Sequence, residues 1–502
     1  MDDSPALPKN IRIEHIWCLA VVVGVFAFLN TQPIRPNDFW WQLAAGRDIS
    51  NTHQILTVDT YSYTEFGQSY PAYQIFWFVE IGYYWLYRAG GLALIIFTHS
   101  LVVTLAYLLL LFINWQLSHN WRVSAFCTLF AAVLGISDWN VRPQALTFVI
   151  GALFLTGIYA CRRKKQLSWL VVFPLGMLVW ANSHGSFLIG LALLGIWTLD
   201  EIKNGLKISK KEKIAQSIKQ LIYPAVALGV SILAITANPS GLGILNYVLG
   251  MMKNSVIQTL VPEWAPPSIY TFEGAIFWGA FIICLGIILF SIRHLSFFQG
   301  VMFLVFGGLA IKTSRGIVWF GIVMAPILAD LINRNWVNKK EIFLRPLPAQ
   351  RTGLNTVFVI LLGLMAVASL PWFKAYLPLP EKKAGLISSE TPIDGTNYLI
   401  EHHLPGPVFN NIAFGSYLIW AAQPDYKVFV DPRLELYSLS VWQDYIMVGQ
   451  GQDNWEKCLN RYGIKTLFLN PSEEANLVRL AMQSKKWSMV YQDTHSIIFV
   501  KE

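Results

Sequence analysis

The chain has 502 residues, of which 54% are hydrophobic and only 14% are charged, and this composition excludes an ordinary soluble protein. Its formal net charge is +8, but Lys and Arg occur in short runs between apolar segments, as membrane loops require, which argues against a nucleic-acid-binding protein. The five cysteines lack the spacing of a disulfide framework or a zinc site.

Apolar segments recur along residues 1–373 and predict an α-helical membrane domain with about eleven transmembrane helices. The first segment follows Lys9 and Arg12 without a small-residue cleavage site, so we expect it to be retained as a span. The predicted spans are 16–30, 92–113, 123–136, 145–160, 169–181, 187–199, 221–237, 275–292, 295–311, 316–332 and 354–372.

A long loop, residues 31–91, separates the first two spans, and its segment 74–88 is rich in aromatic residues but shorter than a span. If this segment lies in the plane of the membrane surface, the basic runs 162–165, 203–219 and 334–351 all fall on the cytoplasmic side, as the positive-inside rule requires. We therefore expect an interfacial helix at 74–88. The same assignment places outside the cytosol 31–91, 137–144, 182–187, 238–267, 312–316 and the tail after Trp372.

The composition becomes polar after Trp372, where short apolar runs alternate with helical patterns. This change predicts a linker at 374–390 and an extracytoplasmic α/β domain at 391–502. The predicted strands are 407–409, 427–430, 466–469, 489–491 and 496–500. The predicted helices are 392–402, 416–422, 441–448, 454–462 and 472–486. Asp431, Arg433 and Glu435 follow a predicted strand, where functional loops gather, but we favour a structural role for them.

The sequence PNDFWWQL, directly after the first span, sets Asp38 beside three consecutive aromatic residues. Aromatic rings favour the membrane surface, whereas a carboxylate at this depth is costly unless it faces an aqueous cavity. We therefore expect Asp38 to face an aqueous cavity, and Trp41 and Gln42 are candidate neighbours in it. The alternative interpretation is that Asn37 or Asp38 only caps the helix that begins at Phe39.

The pattern DFWWQLAAGRDI, followed by DTYSYT and by Trp77 with Glu80, resembles a bacterial branch of the C-type (GT-C) glycosyltransferases. That superfamily includes oligosaccharyltransferases, protein O-mannosyltransferases and aminoarabinose transferases. The resemblance covers the membrane part and, more loosely, the tail. The chain departs from the branch at Gln42, where His is usual, and at Ile75 and Phe76, where a His-Glu pair is usual.

The resemblance implies a multi-pass enzyme of the plasma (inner) membrane whose active face lies outside the cytosol. Such an enzyme transfers a sugar from a polyprenyl-phosphate donor to an extracytoplasmic acceptor, which is a lipid, a glycan or a protein. Asp38 is the residue that the resemblance assigns as general base for the acceptor hydroxyl.

A lipid-phosphate leaving group needs cations rather than a proton donor. Lys312 and Arg315 lie in a short loop expected outside the cytosol, against the general inward bias of basic residues, and this exception suggests an anionic ligand. The alternative is that both side chains only reach to the membrane surface. Arg142 and His184, each at the outer end of a span, are further candidates for the donor phosphate.

Asp59, Asp138 and Glu263 complete the set of cavity candidates. In the C-type family, the turn that corresponds to Asp138 helps to build the donor cavity, and a loop like the one around Glu263 covers it. Asp38, Asp59 and Asp138 could also bind Mg²⁺ or Mn²⁺ through oxygen ligands. The simpler alternatives are a turn at Asp59, an ion pair between Asp138 and Arg142, and a proline-stiffened turn around Glu263.

Two other functions remain open at the level of the sequence. A transporter or flippase of a lipid-linked anion would also need many spans and cations on the outer side, but we find no internal repeat of the kind that transporters show. The departures at Gln42, Ile75 and Phe76 are also compatible with an inactive C-type scaffold.

Overall fold

The computed structural model describes residues 11–164, 166–206, 211–254, 258–259, 261–337 and 352–502. Each of the eleven predicted apolar segments coincides with a helix. Within these described ranges, six helices are long and apolar enough to cross a membrane by length and composition. The chain is thus a helical polytopic membrane protein with a small α/β domain in its tail. Parts of the predicted basic loops, 165, 207–210 and 338–351, lie outside the described residues.

The membrane part is built mainly from helices. The first nine are α1 (Ile13–Asn30), α2 (Phe39–Thr52), α3 (Tyr73–Ser118), α4 (Trp121–Gly135), α5 (Gln144–Lys164), α6 (Val172–Ala181), α7 (Phe187–Leu206), α8 (Lys211–Ile235) and α9 (Gly243–Met251). Four more follow at Phe272–Phe290, Phe297–Lys312, Gly316–Ile332 and Thr352–Ala368. The helix Gly316–Ile332 is apolar on all sides, so it is buried in the bundle, where it packs against α3, α4 and Phe297–Lys312.

The long helix α3 contains a break at Gly90 and Gly91. Gly91 has φ 65° and ψ −160°, a conformation that a residue with a side chain rarely adopts. The first part of α3 packs against α2, where a methyl group at Gly46 would lie 1.9 Å from the carbonyl oxygen of Glu80. The segment 74–88 is therefore a helix separated by a break from the following span, and its position in the membrane plane stays a prediction.

The tail forms a four-stranded sheet with helices packed around it. The strands are β1 (Val408–Asn410), β2 (Thr466–Leu469), β3 (Trp487–Gln492) and β4 (Ile497–Lys501), in the order β1-β2-β4-β3. Strands β1 and β2 are parallel and the other pairs are antiparallel. The tail helices are Glu381–Ala384, Ile393–Glu401, Ile412–Ala421, Leu439–Gly449, Trp455–Arg461 and Ala475–Gln483.

The predicted strand 427–430 is wrong, because this segment does not join the sheet. Its backbone bonds instead to the first loop, where Val428 N–H donates to Tyr61 O and Tyr63 N–H donates to Val428 O. The segment 427–430 is linked to β1 by the side chain of Asn410 rather than by backbone hydrogen bonds. The side-chain amide accepts from Phe429 N–H and donates to Val430 O. The segment thus connects the tail to the loop rather than widening the sheet.

The first loop and the tail share one hydrophobic core. It joins rings of the loop region, such as Trp41, Tyr61 and Tyr70, to tail side chains such as Phe414 and Phe468. This packing holds the tail against α2 and the first part of α3. We call the end of the bundle that carries the tail the tail side.

Candidate active site

A cavity of about 100 Å³ lies on the tail side, where the membrane part, the first loop and the tail meet. Its polar lining comes from stretches that are far apart in the sequence. These polar side chains are Asp38, Trp41, Gln42, Tyr70, Arg142, Gln144, His184, Trp264, Arg315, Arg433 and Glu435.

Asp38 precedes the first residue of α2, but its side chain makes no capping hydrogen bond, so the helix-cap interpretation is wrong. Its carboxylate Oδ2 lies 3.2 Å from Arg142 Nε and is partly exposed to the cavity. The contact is an ion pair without hydrogen-bond geometry, because the Nε–H of Arg142 has no hydrogen-bond acceptor. The oxygens of Asp38 therefore remain able to accept a proton from a ligand.

A second carboxylate, Glu263, lies between two arginines. Arg142 donates to both of its oxygens at 2.9 and 3.1 Å, and Arg315 donates to Oε2 at 2.9 Å. Burial would raise the pKa of Glu263, but the charges and hydrogen bonds of Arg142 and Arg315 outweigh it and lower the pKa to about 2. Asp38, Arg142, Glu263 and Arg315 thus form one chain of alternating charge, and all of them except Glu263 line the cavity.

His184 lines the cavity as a neutral imidazole. Burial and the charges of Arg315 and Arg142 lower its pKa to about 3. Its Nδ1 accepts from the backbone N–H of Ser186 at 3.0 Å, which leaves the proton on Nε2. His184 can therefore donate one neutral hydrogen bond to a ligand, but it adds no positive charge at neutral pH.

Among the described residues, three buried polar atoms of the cavity wall have no hydrogen-bond partner: Arg142 Nε, Trp41 Nε1 and Gln42 Oε1. Buried polar groups in folded proteins are nearly always paired, so such atoms in a cavity wall are candidates for ligand contact. Phe76 also lines the cavity, whereas Ile75 is buried in the helix bundle. Of the three departures from the C-type pattern, two therefore lie at the cavity.

Four predicted site residues do not line this cavity: Asp59, Asp138, Lys312 and Glu263, of which Glu263 contacts two lining arginines. Asp59 is fully buried, and its oxygens accept from Tyr61 N–H, from the N–H and hydroxyl of Ser62, and from Arg433. Lys312 is exposed at the end of its helix and does not line the cavity. Asp138 ends a 3₁₀ turn after α4.

The predicted ion pair between Asp138 and Arg142 is wrong, because Arg142 pairs with Asp38 and Glu263 instead. A cation site formed by Asp38, Asp59 and Asp138 does not fit these positions either, since the oxygens of Asp59 are occupied by protein donors. Among the described residues, no group of three or more His, Cys, Asp or Glu side chains could hold a metal ion.

The sequence does not predict the contact among Tyr70, Tyr247 and Glu435, of which Tyr70 and Glu435 line the cavity. The hydroxyls of Tyr70 and Tyr247 both donate to Glu435 Oε1, at 2.8 and 3.0 Å. These residues come from the first loop, from α9 and from the tail, so no local pattern joins them. The one available signal was the position of Glu435 in the segment DPRLE, which follows a buried apolar run.

Taken together, the lining suits a small ligand with one anionic and one neutral end. Arg142 and Arg315 supply fixed positive charge on the membrane side of the cavity, where an anion would replace the Glu263 carboxylate. Asp38 offers a proton-accepting group beside them. Tyr70, Glu435 and the free polar atoms of the wall can bind hydroxyl groups.

No protein-family model matches the sequence, and no curated protein is significantly similar to it. Solved structures do match. The oligosaccharyltransferase AglB of Archaeoglobus fulgidus, in complex with an inhibitory peptide and a dolichol-phosphate, has a TM-score of 0.56 at 11% identity, over 97% of this chain and 74% of AglB. The arabinofuranosyltransferase AftD of mycobacteria has a TM-score of 0.52 at 12% identity, over 96% of this chain and 40% of AftD.

ArnT of Cupriavidus metallidurans bound to undecaprenyl phosphate has a TM-score of 0.46 at 15% identity, over 96% of both chains. At these identities the likeness concerns the fold. The chain has the fold of the C-type (GT-C) membrane glycosyltransferases, as the pattern around Asp38 predicted.

Proposed function

We propose that the protein is a glycosyltransferase that moves a sugar from a polyprenyl-phosphate donor to a hydroxyl group of an extracytoplasmic acceptor. The observation that carries the proposal is that a carboxylate able to accept a proton, Asp38, lines the same cavity as two arginines suited to a phosphate, Arg142 and Arg315. In this proposal the protein lies in the inner membrane, and its tail side faces away from the cytosol.

The proposed reaction needs no proton donor for the leaving group. Asp38 takes the proton of the acceptor hydroxyl while the acceptor oxygen forms a bond to the anomeric carbon. The bond from that carbon to the phosphate oxygen breaks, and its electron pair stays on the phosphate. Arg142 and Arg315 stabilise the charge that develops there, and the Asp38 carboxylate favours the positive charge that develops on the sugar.

Glu263 holds the place of the donor phosphate in this proposal. Its carboxylate takes up hydrogen bonds from both arginines, as a phosphate would. The cavity of about 100 Å³ is also small beside the roughly 300 to 1,000 Å³ of ordinary small-molecule sites, so the loop that carries Glu263 has to move when a sugar phosphate enters. Donor binding therefore exchanges one anion for another.

The neighbours in fold give independent support to the donor class. The AglB structure contains a dolichol-phosphate, which is a lipid phosphate, and AftD is an arabinofuranosyltransferase. Neither identifies the sugar or the acceptor of this chain. The donor phosphate is the part of the ligand that the charges of the cavity describe best.

The proposal is tested by sugar transfer in reconstituted membranes. A panel of labelled polyprenyl-phosphate sugars is supplied with cell-envelope fractions, and both labelled product and free polyprenyl phosphate are measured. We expect the Arg315→Gln variant to weaken donor binding by roughly 10- to 100-fold, which corresponds to the loss of a charged hydrogen bond. Lys253→Gln is the matched control, because Lys253 is an exposed cation that does not line the cavity.

Two results would contradict parts of the proposal. If folded wild-type protein releases no polyprenyl phosphate from any donor of the panel, the protein is not a transferase of this class. If transfer occurs but Arg315→Gln and Lys253→Gln have the same donor KM as wild type, the phosphate does not bind at this pair of arginines.

A further inference from the structure

Glu435 brings a second carboxyl group from the tail into the cavity. Its Oε1 accepts from the hydroxyls of Tyr70 and Tyr247, which fix the orientation of the side chain. No side-chain donor among the described residues contacts Oε2. One carboxyl oxygen of Glu435 is thus held by two hydroxyl donors, and the side chain lines the same cavity as Asp38.

The surroundings of Glu435 differ from those of Asp38. Asp38 pairs with Arg142, whereas Glu435 forms no ion pair among the described residues. The nearest arginine in sequence, Arg433, is neutralised by Asp59 and Asp431.

The remaining charged groups of the cavity do not compensate Glu435. Arg142 and Arg315 both contact Glu263, and His184 is neutral. Burial, with the negative charge of Asp38, raises the pKa of Glu435 against the lowering effect of hydrogen bonds from its own backbone N–H and from two hydroxyl groups. A Glu435 carboxylate with a raised pKa binds a proton more tightly than an ordinary glutamate does, so it is suited to hold one in this cavity.

We propose that Glu435 is a second catalytic carboxyl group, which receives the acceptor's proton from Asp38 and holds it until the product leaves. The proposal rests on the proposed transferase function. Its physical reason is that a protonated Asp38 no longer offsets the charge of Arg142. Transfer of the proton to Glu435 restores that ion pair and leaves the proton where no cation opposes it.

The proton balance of the step is complete. The acceptor O–H bond breaks and its proton goes to the Asp38 carboxylate, while the acceptor oxygen bonds to the sugar carbon. The proton then passes from Asp38 to Glu435 Oε2 through a cavity water or a sugar hydroxyl. Glu435 releases it to solvent before the next turnover, so no other reactant is needed.

The test compares kcat against pH for wild type and Glu435→Gln in the same reconstituted transfer reaction. Glu435 must be ionised to receive a proton, so wild-type kcat should fall as the pH drops through its raised pKa. We expect Glu435→Gln to lower kcat by about tenfold or more, as for loss of a proton-transfer group, and to lose this acid limb with an unchanged donor KM. Glu401→Gln, an exposed carboxylate on a tail helix, is the control.

A second variant separates proton transfer from a structural role. Tyr247→Phe removes a hydroxyl that stabilises the Glu435 carboxylate from outside the cavity lining, so the acid limb should move to higher pH while activity at alkaline pH is retained. If Glu435→Gln keeps the wild-type kcat and acid limb, Glu435 is not a proton carrier. If wild type itself transfers no sugar, the transferase proposal fails and this one with it, so the two failures are distinguishable.

Discussion

The carboxylate of Glu263 occupies the position in which we propose that the donor phosphate binds. It takes hydrogen bonds from Arg142 and Arg315, and neither arginine is therefore free in the absence of donor. The arrangement compensates two partly buried positive charges, which would otherwise lack a partner in the absence of donor. A donor has to compete with this internal anion, so Glu263 sets part of the cost of donor binding.

The variant Glu263→Gln should therefore bind the donor more tightly. The amide has the shape of the carboxylate but no charge, so it competes less well with a phosphate for the two arginines. We expect the Kd for a polyprenyl phosphate, measured by titration in nanodiscs, to fall by roughly 10-fold or more, in line with a charged hydrogen bond replaced by a neutral one. Glu273→Gln, outside the cavity, serves as control, and an unchanged or weaker affinity of Glu263→Gln would contradict the competition.

The contribution of Glu263 to stability should depend on pH. Its pKa is lowered from 4.5 to about 2 in the folded protein, so the folded state binds fewer protons than the unfolded state across this range. The stabilisation is complete above pH 4.5 and is lost as the pH falls toward 2. The difference in Tm between wild type and Glu263→Gln should therefore shrink over this interval, and a difference independent of pH would contradict the assignment.

At this scale the sequence predicted some residues and not others. Asp38 and Arg315 were predictable, because each is an exception to an ordinary membrane pattern. Asp38 is an acid among aromatic residues of the membrane surface, and Arg315 is a cation in a loop expected outside the cytosol. The alternating chain of Arg142 and Glu263 was not, since 121 residues separate the two side chains. Glu435 was assigned a structural role, because its tyrosine partners lie in stretches that no local rule connects.

At the scale of elements, the tail and the first loop are joined by a buried ion cluster. Arg433 donates to Asp59 and to Asp431 at 2.6 Å and also to the hydroxyl of Tyr73 at 2.6 Å. All three charged side chains are fully buried. Arg433 also lies over the rings of Trp41, Tyr61, Tyr70 and Tyr73. The cluster holds the tail wall of the cavity against α2 and α3.

Removal of Arg433 alone should release the tail. The substitution Arg433→Met leaves two buried carboxylates without a cation and should destabilise this contact by about 3 to 5 kcal/mol. The triple variant Asp59→Asn, Asp431→Asn, Arg433→Met removes the three charges together and should lose much less stability than the single variant. Thermal unfolding and limited proteolysis of the tail measure the stability of both variants. An equal loss of stability in the single and triple variants would contradict the account.

The elements themselves were predicted well wherever periodicity carried the signal. All eleven apolar segments are helical, and four of the five predicted tail strands are strands. The segment 427–430 failed because its apolar run is typical of a buried strand, while its backbone partners are Tyr61, Tyr63 and the side chain of Asn410. Pairing between loop and tail is set by tertiary contact, which local patterning cannot reveal.

At the scale of the whole molecule, the proposed function requires the tail side to face away from the cytosol. The positive-inside rule gives this orientation only if the helix at 74–88 does not span the membrane. The break at Gly90 and Gly91 provides the turn that such an interfacial helix needs. The fold and its class followed from hydropathy and from the motif around Asp38, but the cavity arises only when loop, bundle and tail assemble.

Cysteine labelling of intact cells tests this orientation. We expect a cysteine at Arg88, which is exposed at the end of the segment 74–88, to react with an impermeant reagent from outside. A cysteine at Asn204, exposed at the end of α7, should react only after permeabilisation. The reverse pattern would place the cavity and the tail in the cytosol and exclude an extracytoplasmic acceptor.

The central claim is that Asp38 performs chemistry in a donor cavity, and single-turnover sugar transfer by Asp38→Asn tests it most directly. Reconstituted protein is loaded with a labelled polyprenyl-phosphate sugar, bound donor is measured first, and transfer is then followed after acceptor is added. We predict that Asp38→Asn binds donor like wild type but loses at least about 100-fold in transfer rate, as for a general base. Asp48→Asn, on the same helix and outside this cavity, should transfer normally. Wild-type transfer by Asp38→Asn would contradict the claim.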